Sequence, residues 1–174
     1  MNIFILEGDI ETQKIDWHKS AKSLDNFRIN KMILENCQMF STALNQKYGK
    51  QVAPYKSFNP KHPCCLWVSK SSENFLTLIS HSKYMLEEFY KRFGSTKKHK
   101  CEDVLVSCEK LFSPCLFDEH NLTILPMAMP NEFQSSNIIL SYRKFFASKK
   151  RMRYFKNDVP KWFKELRKIP FEEI

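Results

Sequence analysis

Glycine is almost missing from this sequence, with three in 174 residues. So few positions free to take positive φ leave primed-turn hairpins, glycine-rich phosphate loops and dinucleotide-binding crossovers without their raw material, and helices are favoured by elimination. Long apolar runs are missing too. Runs such as IFIL at residues 3–6 fall far short of the ~20 residues a membrane span requires, so no membrane partner is expected. Close cysteine pairs of the C-x-x-C type do not occur among Cys37, Cys64, Cys65, Cys101, Cys108 and Cys115. Zinc sites usually announce themselves through such pairs, so buried free thiols are expected, with no metal and no cofactor. The start carries no basic-then-apolar leader, which leads us to expect a cytoplasmic, reducing location. Internal repeats, linkers and low-complexity tracts are also lacking, so residues 1–174 are expected to form one domain.

What is present is hydrophobic and aromatic. Fifteen Phe and an apolar fraction of 43% are too much for a disordered chain, so the sequence folds. The expectation is a mainly α, compact multi-helix domain with a minor N-terminal β element at IFIL, stopped at once by Glu7, Gly8 and Asp9. Residues ~19–47 read as the first long helix, with Ser20 or Ser23 as N-cap and Tyr48-Gly49 as exit. Pro54, Pro60 and Pro63 mark a fixed loop. Residues ~64–93 read as two helices meeting near Ser71-Ser72, residues ~100–113 as a shorter one, and residues ~134–150 and the surroundings of Trp162 and Phe163 as further helical pieces.

The charge is concentrated near the end. Residues 143–168 hold eleven Lys and Arg against Asp158 and Glu165, an excess that by itself equals the net +9 of the whole chain. Tyr142, Phe145, Phe146, Tyr154, Phe155, Trp162 and Phe163 are interleaved with these cations. A basic, aromatic third at about 140–170 suits a polyanion whose phosphates meet cations and whose bases meet rings. For Phe145, Phe146 and Phe163 a core role is preferred, as it is for Trp67.

Two constellations carry chemistry. On the first long helix, Ile29, Ile33, Cys37, Phe40 and Leu44 converge on one side, while Arg28, Lys31, Glu35, Gln38 and Thr42 converge on nearly the opposite one. A solvated face would look similar, yet Lys31 precedes Glu35 in the weaker i,i+4 order and lies one turn from like-charged Arg28. Lys31 as amine, Glu35 or Asp25 as carboxylate and Arg28 as phosphate contact are what a glycosylase with lyase activity needs. The second is His62-Pro63: Pro63 can open a helix and leave His62 at its N-cap, an anion-binding geometry.

The pattern Ala21-x-x-Leu24-Asp25-x-x-Arg28-x-x-Lys31-x-x-x-Glu35-x-x-Gln38, then His62-Pro63-x-x-x-Trp67, then Glu88-x-x-x-Arg92-x-Gly94, resembles small proteins of phages and bacteria, some labelled pyrimidine dimer DNA glycosylase. His99-Lys100, Ala128-Met129-Pro130, Tyr142-Arg143 and Pro160-x-Trp162 are similar to a phage-borne branch of that group. The resemblance implies a compact helical fold and base excision at damaged DNA. It adds Arg92, His99, Tyr142 and Arg143 to Arg28, Gln38 and His62 as binding candidates. In the dimer glycosylases the nucleophile is the N-terminal α-amine exposed after Met removal, with a Glu on an early helix assisting. Here Asn2 is large enough for Met1 to be kept, and Glu35 is the candidate for the assisting role.

The functional expectation is therefore a DNA-binding N-glycosylase or abasic-site lyase, with Lys31 or the N-terminal amine as nucleophile. The alternative is a protein that binds DNA or a phosphorylated nucleotide without turnover, for instance by sequestering a phosphorylated signal or inhibiting host defence. Oligomeric state is left open by the sequence.

Overall fold

Aspartates, not serines, start the first two helices. In the computed structural model, which describes residues 1–96 and 98–168 (Asn157 by its backbone alone), Asp16 caps α1 (Trp17–Lys22) and Asp25 caps α2 (Asn26–Lys47). Each carboxylate accepts an N–H three residues on, satisfying one of the donors a helix start leaves open. The single helix expected over 19–47 is thus two, broken at residues 23–25. Ser20 is unavailable as a cap because its hydroxyl faces inward and accepts the N–H groups of Leu6 and Glu7. Ser23 instead donates to Glu7 Oε1.

The following elements are α3 (Pro63–Lys70), α4 (Ser72–Phe93), α5 (Glu102–Leu111), α6 (Ile138–Ala147) and α7 (Lys161–Leu166), seven α-helices among the described residues. His62 caps α3 through Nδ1, with Pro63 in the first turn, as its sequence suggests. Ser71 separates α3 from α4 and caps the latter. The central helix is α2, against which α3, α4 and α5 pack, while α1 lies on α4 and α7 on α6. One hydrophobic cluster joins all of them, and no helix among the described residues is long and apolar enough to cross a membrane. The last two residues of the basic stretch at 140–170 lie outside the described ones.

The expected minor β element at IFIL is not there: the described residues contain no strand, only isolated bridges Gly8–Ile15 and Ser71–Glu119. Ile3, Phe4, Ile5 and Leu6 are extended and fully enclosed. Their backbone is served by side chains instead of a neighbouring strand. Ser20 Oγ accepts from Leu6 N, Arg143 Nε donates to Leu6 O, and Asn2 Oδ1 accepts from Ile3 N. Phe4 packs among Tyr142, Phe145 and Phe146 of α6. At Gly8 a Cβ would stand 2.4 Å from the Lys14 carbonyl, so the turn that follows this segment requires glycine.

His81 sits fully enclosed on α4, its Nδ1 2.9 Å from the Trp17 carbonyl, so the neutral ring donates there. Burial holds its pKa down to about 4, against which the carbonyl bond works. An unfolded histidine titrates near 6.5, so the unfolded chain takes up the proton first as pH falls. The stabilisation is fully present above pH 6.5 and is lost between there and about 4. Urea unfolding at pH 7.5 and pH 5 should differ by about 2 kcal/mol from this residue, a difference that His81→Gln should abolish whatever its own baseline stability.

Candidate functional site

Glu35 is where the polar side of α2 stops being a solvated face. Its carboxylate is nearly enclosed by the N-terminal segment and gathers three nitrogens: the Asn2 N–H at 2.9 Å from Oε2, the α-amine of Met1 at 3.9 Å from Oε2, and Lys31 Nζ at 3.3 Å from Oε1. Lys31 is half-exposed, and an ion pair of that kind contributes only ~0–1 kcal/mol, so its ammonium is cheap to withdraw. His62 belongs to the same neighbourhood. Burial lowers its pKa first, the α-amine charge adds to that, and Glu35 opposes it. Thr42, expected on the wet side, is buried with its hydroxyl bonded to Gln38 O and accepting from Phe58 N. Gln38 is half-buried between them.

A large opening lies beside this group. It is a cleft of about 1490 Å³ between the first half of α2, the end of α4 with the α4–α5 connection, and residues 150–153. Arg28, Lys31, Lys98, Lys100, Lys150, Arg151 and Arg153 line it, and no carboxylate does among the described residues. Apolar surface alternates with the cations: Phe27 is 61% exposed and Phe93 41% exposed, with Leu34, Tyr55 and Phe89 between. The cations are crowded enough to be felt beyond the wall. Lys149, behind it, is shifted down by burial and then by Arg28 and Lys31. Asn30 and His99 form a pair in the cleft, His99 Nε2 to Asn30 Oδ1 at 2.7 Å. Because His99 Nδ1 accepts from Cys101 N, the neutral ring carries its proton on Nε2 and donates it to Asn30.

The sequence candidates divide accordingly. Arg28, Lys31 and His99 line the cleft; Lys31, Glu35 and His62 meet at the N-terminus; Lys31 joins the two. Asp25 is fully buried, accepting from Arg28 Nη1 at 3.0 Å, and it orients that cation from behind. Arg92 is spent inside the fold. It donates to the carbonyls of Leu24 and Lys22, to Asn26 Oδ1 and to Glu88, clamping the α1–α2 break to α4. Tyr142 is buried and donates to Pro126 O. Arg143 holds Leu6 O and Glu7 Oε2 and lies under the Trp162 ring. These three maintain the frame of the site instead of facing the opening.

Phe27, Asn30, Tyr55, Lys98, Cys101 and residues 150–153 entered the cleft unannounced. Only the density of cations near residue 150 signalled any of them; the others meet through tertiary packing. The expectation of buried free thiols holds for five cysteines, while Cys115 is free but exposed. No group of side chains suited to a metal ion is present among the described residues. Comparison with family models, with curated proteins and with solved structures gives no match to this chain.

The division between frame and cleft is measurable. Arg92→Ala leaves Glu88 and two carbonyls buried without their partner and should cost about 3–5 kcal/mol in urea unfolding. Lys150→Ala, on an exposed side chain of the cleft, should stay within about 0.5 kcal/mol.

Proposed function

We propose that the protein binds DNA through the cationic cleft and cleaves an N-glycosidic bond there, with an amine held at Glu35 as nucleophile. The observation that carries this reading is the triad of Glu35, α-amine and Lys31, of which Lys31 also lines a cleft of cations and rings. Both forms of the N-terminus suit it. With Met1 present the α-amine is 3.9 Å from Glu35; with Met1 removed, the nitrogen of Asn2, 2.9 Å away, becomes the free amine.

The chemistry is then short. The unprotonated amine attacks C1′ of a deoxyribose, the bond from C1′ to the base breaks, and the base leaves with a proton. Glu35 stabilises the positive charge that develops on the sugar and accepts the proton from the attacking nitrogen. Ring opening gives an imine between amine and C1′, from which β-elimination breaks the strand. Arg28, Lys98, Lys100 and the cations at 150–153 hold the flanking phosphates, and the exposed ring of Phe27 suits a base taken out of the stack. A second reading, capture of a phosphorylated nucleotide or nucleic acid without turnover, draws on the same cleft. Cations without a carboxylate serve phosphate binding in full.

The test is incubation with end-labelled duplexes carrying a thymine dimer, an abasic site or no lesion, with and without borohydride. The expected result is a strand break and, with borohydride, a covalent adduct. If the adduct persists in Lys31→Ala, the N-terminal amine is the nucleophile; if it disappears, Lys31 is. Glu35→Gln should slow turnover about 10²–10⁴-fold while binding is kept, and Lys150→Ala should reduce the salt dependence of binding by about one charge. Duplexes left intact and free of adduct, yet shifted in a salt-sensitive way, would contradict the enzyme and leave the binder.

A further inference from the structure

The floor of the cleft holds a thiol with unusual company. Cys101 lines the cleft beside Tyr55, His99, Lys98 and Lys100 and is the N-cap residue of α5. The Tyr55 hydroxyl lies 3.6 Å from Cys101 Sγ. Behind it, the Cys37 thiol of α2 donates to the Cys101 carbonyl at 3.6 Å, which brings the two cysteines together. Nothing in N-glycosidic cleavage or in phosphate capture uses this cluster.

We propose that Cys101 and Cys37 form a reactive dithiol site, which a peroxide entering through the cleft closes to a disulfide. Cys101 is the attacking sulfur because its residue lines the cleft and keeps a small exposure of 4%, while Cys37 is fully enclosed behind it. The surroundings favour its thiolate: a hydrogen bond from Cys37 is the largest influence, and the Tyr55 hydroxyl adds its own against the cost of burial, so Cys101 is held below the usual thiol range. The positive end of α5 acts in the same direction. Cys37 moves the opposite way, raised by the same bond and by burial, so it stays a thiol until its partner has reacted.

The steps balance. The Cys101 thiolate attacks one oxygen of hydrogen peroxide, the O–O bond breaks, and the departing hydroxide takes up a proton as water, leaving a sulfenic acid. The sulfur of Cys37, losing its proton, attacks the Cys101 sulfur and expels the second oxygen as water. Two thiols are oxidised by two electrons and one peroxide is reduced to two waters. The new bond ties the start of α5 to α2 and removes a negative charge from the floor of a polyanion-binding cleft.

The experiment uses the full chain with Cys115→Ser, which removes the exposed thiol. After exposure to hydrogen peroxide, peptide mapping should show one disulfide between Cys37 and Cys101, reversible by dithiothreitol. In Cys37→Ser the reaction should stop at a Cys101 sulfenic acid that dimedone traps. The rate of Cys101 oxidation should fall less steeply between pH 8 and pH 6 than that of a glutathione control, which falls by nearly two orders of magnitude. Thiols that remain fully titratable after peroxide, or a Cys101 rate that tracks the glutathione control with pH, would overturn the proposal. The pH profile needs no Cys37 variant, so it decides the matter even if Cys37→Ser fails to fold.

Discussion

The contact between Glu35 and the first two residues governs the arrangement of the molecule. An apolar segment runs through the interior with no strand beside it, and side chains from distant elements meet several of its polar backbone groups. Glu35 holds its start, Ser20 its exit and Arg143 one of its carbonyls. Three distant stretches are thereby tied to one thread: α2, α1 and α6. With α6 fixed against Phe4, the chain that leaves it at residues 148–153 must pass over the beginning of α2. There the Arg153 carbonyl accepts from Asn26 N at 2.7 Å, and the basic wall of the cleft is set.

Charge is sorted by the same frame. Acids are consumed inside it: Asp25 by Arg28, Glu88 by Arg92, Glu7 by Arg143, Ser23 and Trp162. Each of these buried pairs costs desolvation, so each is weak evidence for stability but strong evidence of fixed geometry. Other cations collect on the cleft: Lys100, Lys150, Arg151 and Arg153, with Lys98 paired to the exposed Asp103 at its rim. The basic third of the sequence is therefore not one surface. Arg143 serves an internal carbonyl and Arg167 the exposed carbonyl of Lys149, while residues 150–153 face the opening.

Much of the helical order was legible in periodicity and caps. The junction of α3 and α4 falls at Ser71, and His62 occupies the N-cap that Pro63 implied, because both follow from local backbone chemistry. The break before α2 was not legible: Ser20 and Ser23 look like caps, and only the buried thread explains why their hydroxyls turn inward. IFIL read as a strand because an apolar run has no periodicity to tell a paired strand from an enclosed extended segment. For the site, the stripe of Arg28, Lys31 and Glu35 was visible in helical spacing, whereas its division between a cleft and the N-terminus was not. Arg92 became a binding candidate through the resemblance alone, and nothing local in the sequence signals that the carbonyls of Lys22 and Leu24 claim it. Asn30 meets His99, and Tyr55 meets Cys101, only through tertiary packing.

Photo-crosslinking tests directly the proposed seating of nucleic acid in the cleft. A single-stranded oligonucleotide carrying 5-iododeoxyuridine, irradiated in complex with the protein and mapped by peptide mass, should attach to peptides containing Phe27 to Leu34, Phe93 or residues 98–101. Crosslinks confined to α7 or to the face formed by residues 14–19 and 73–84 would place the nucleic acid elsewhere and contradict it.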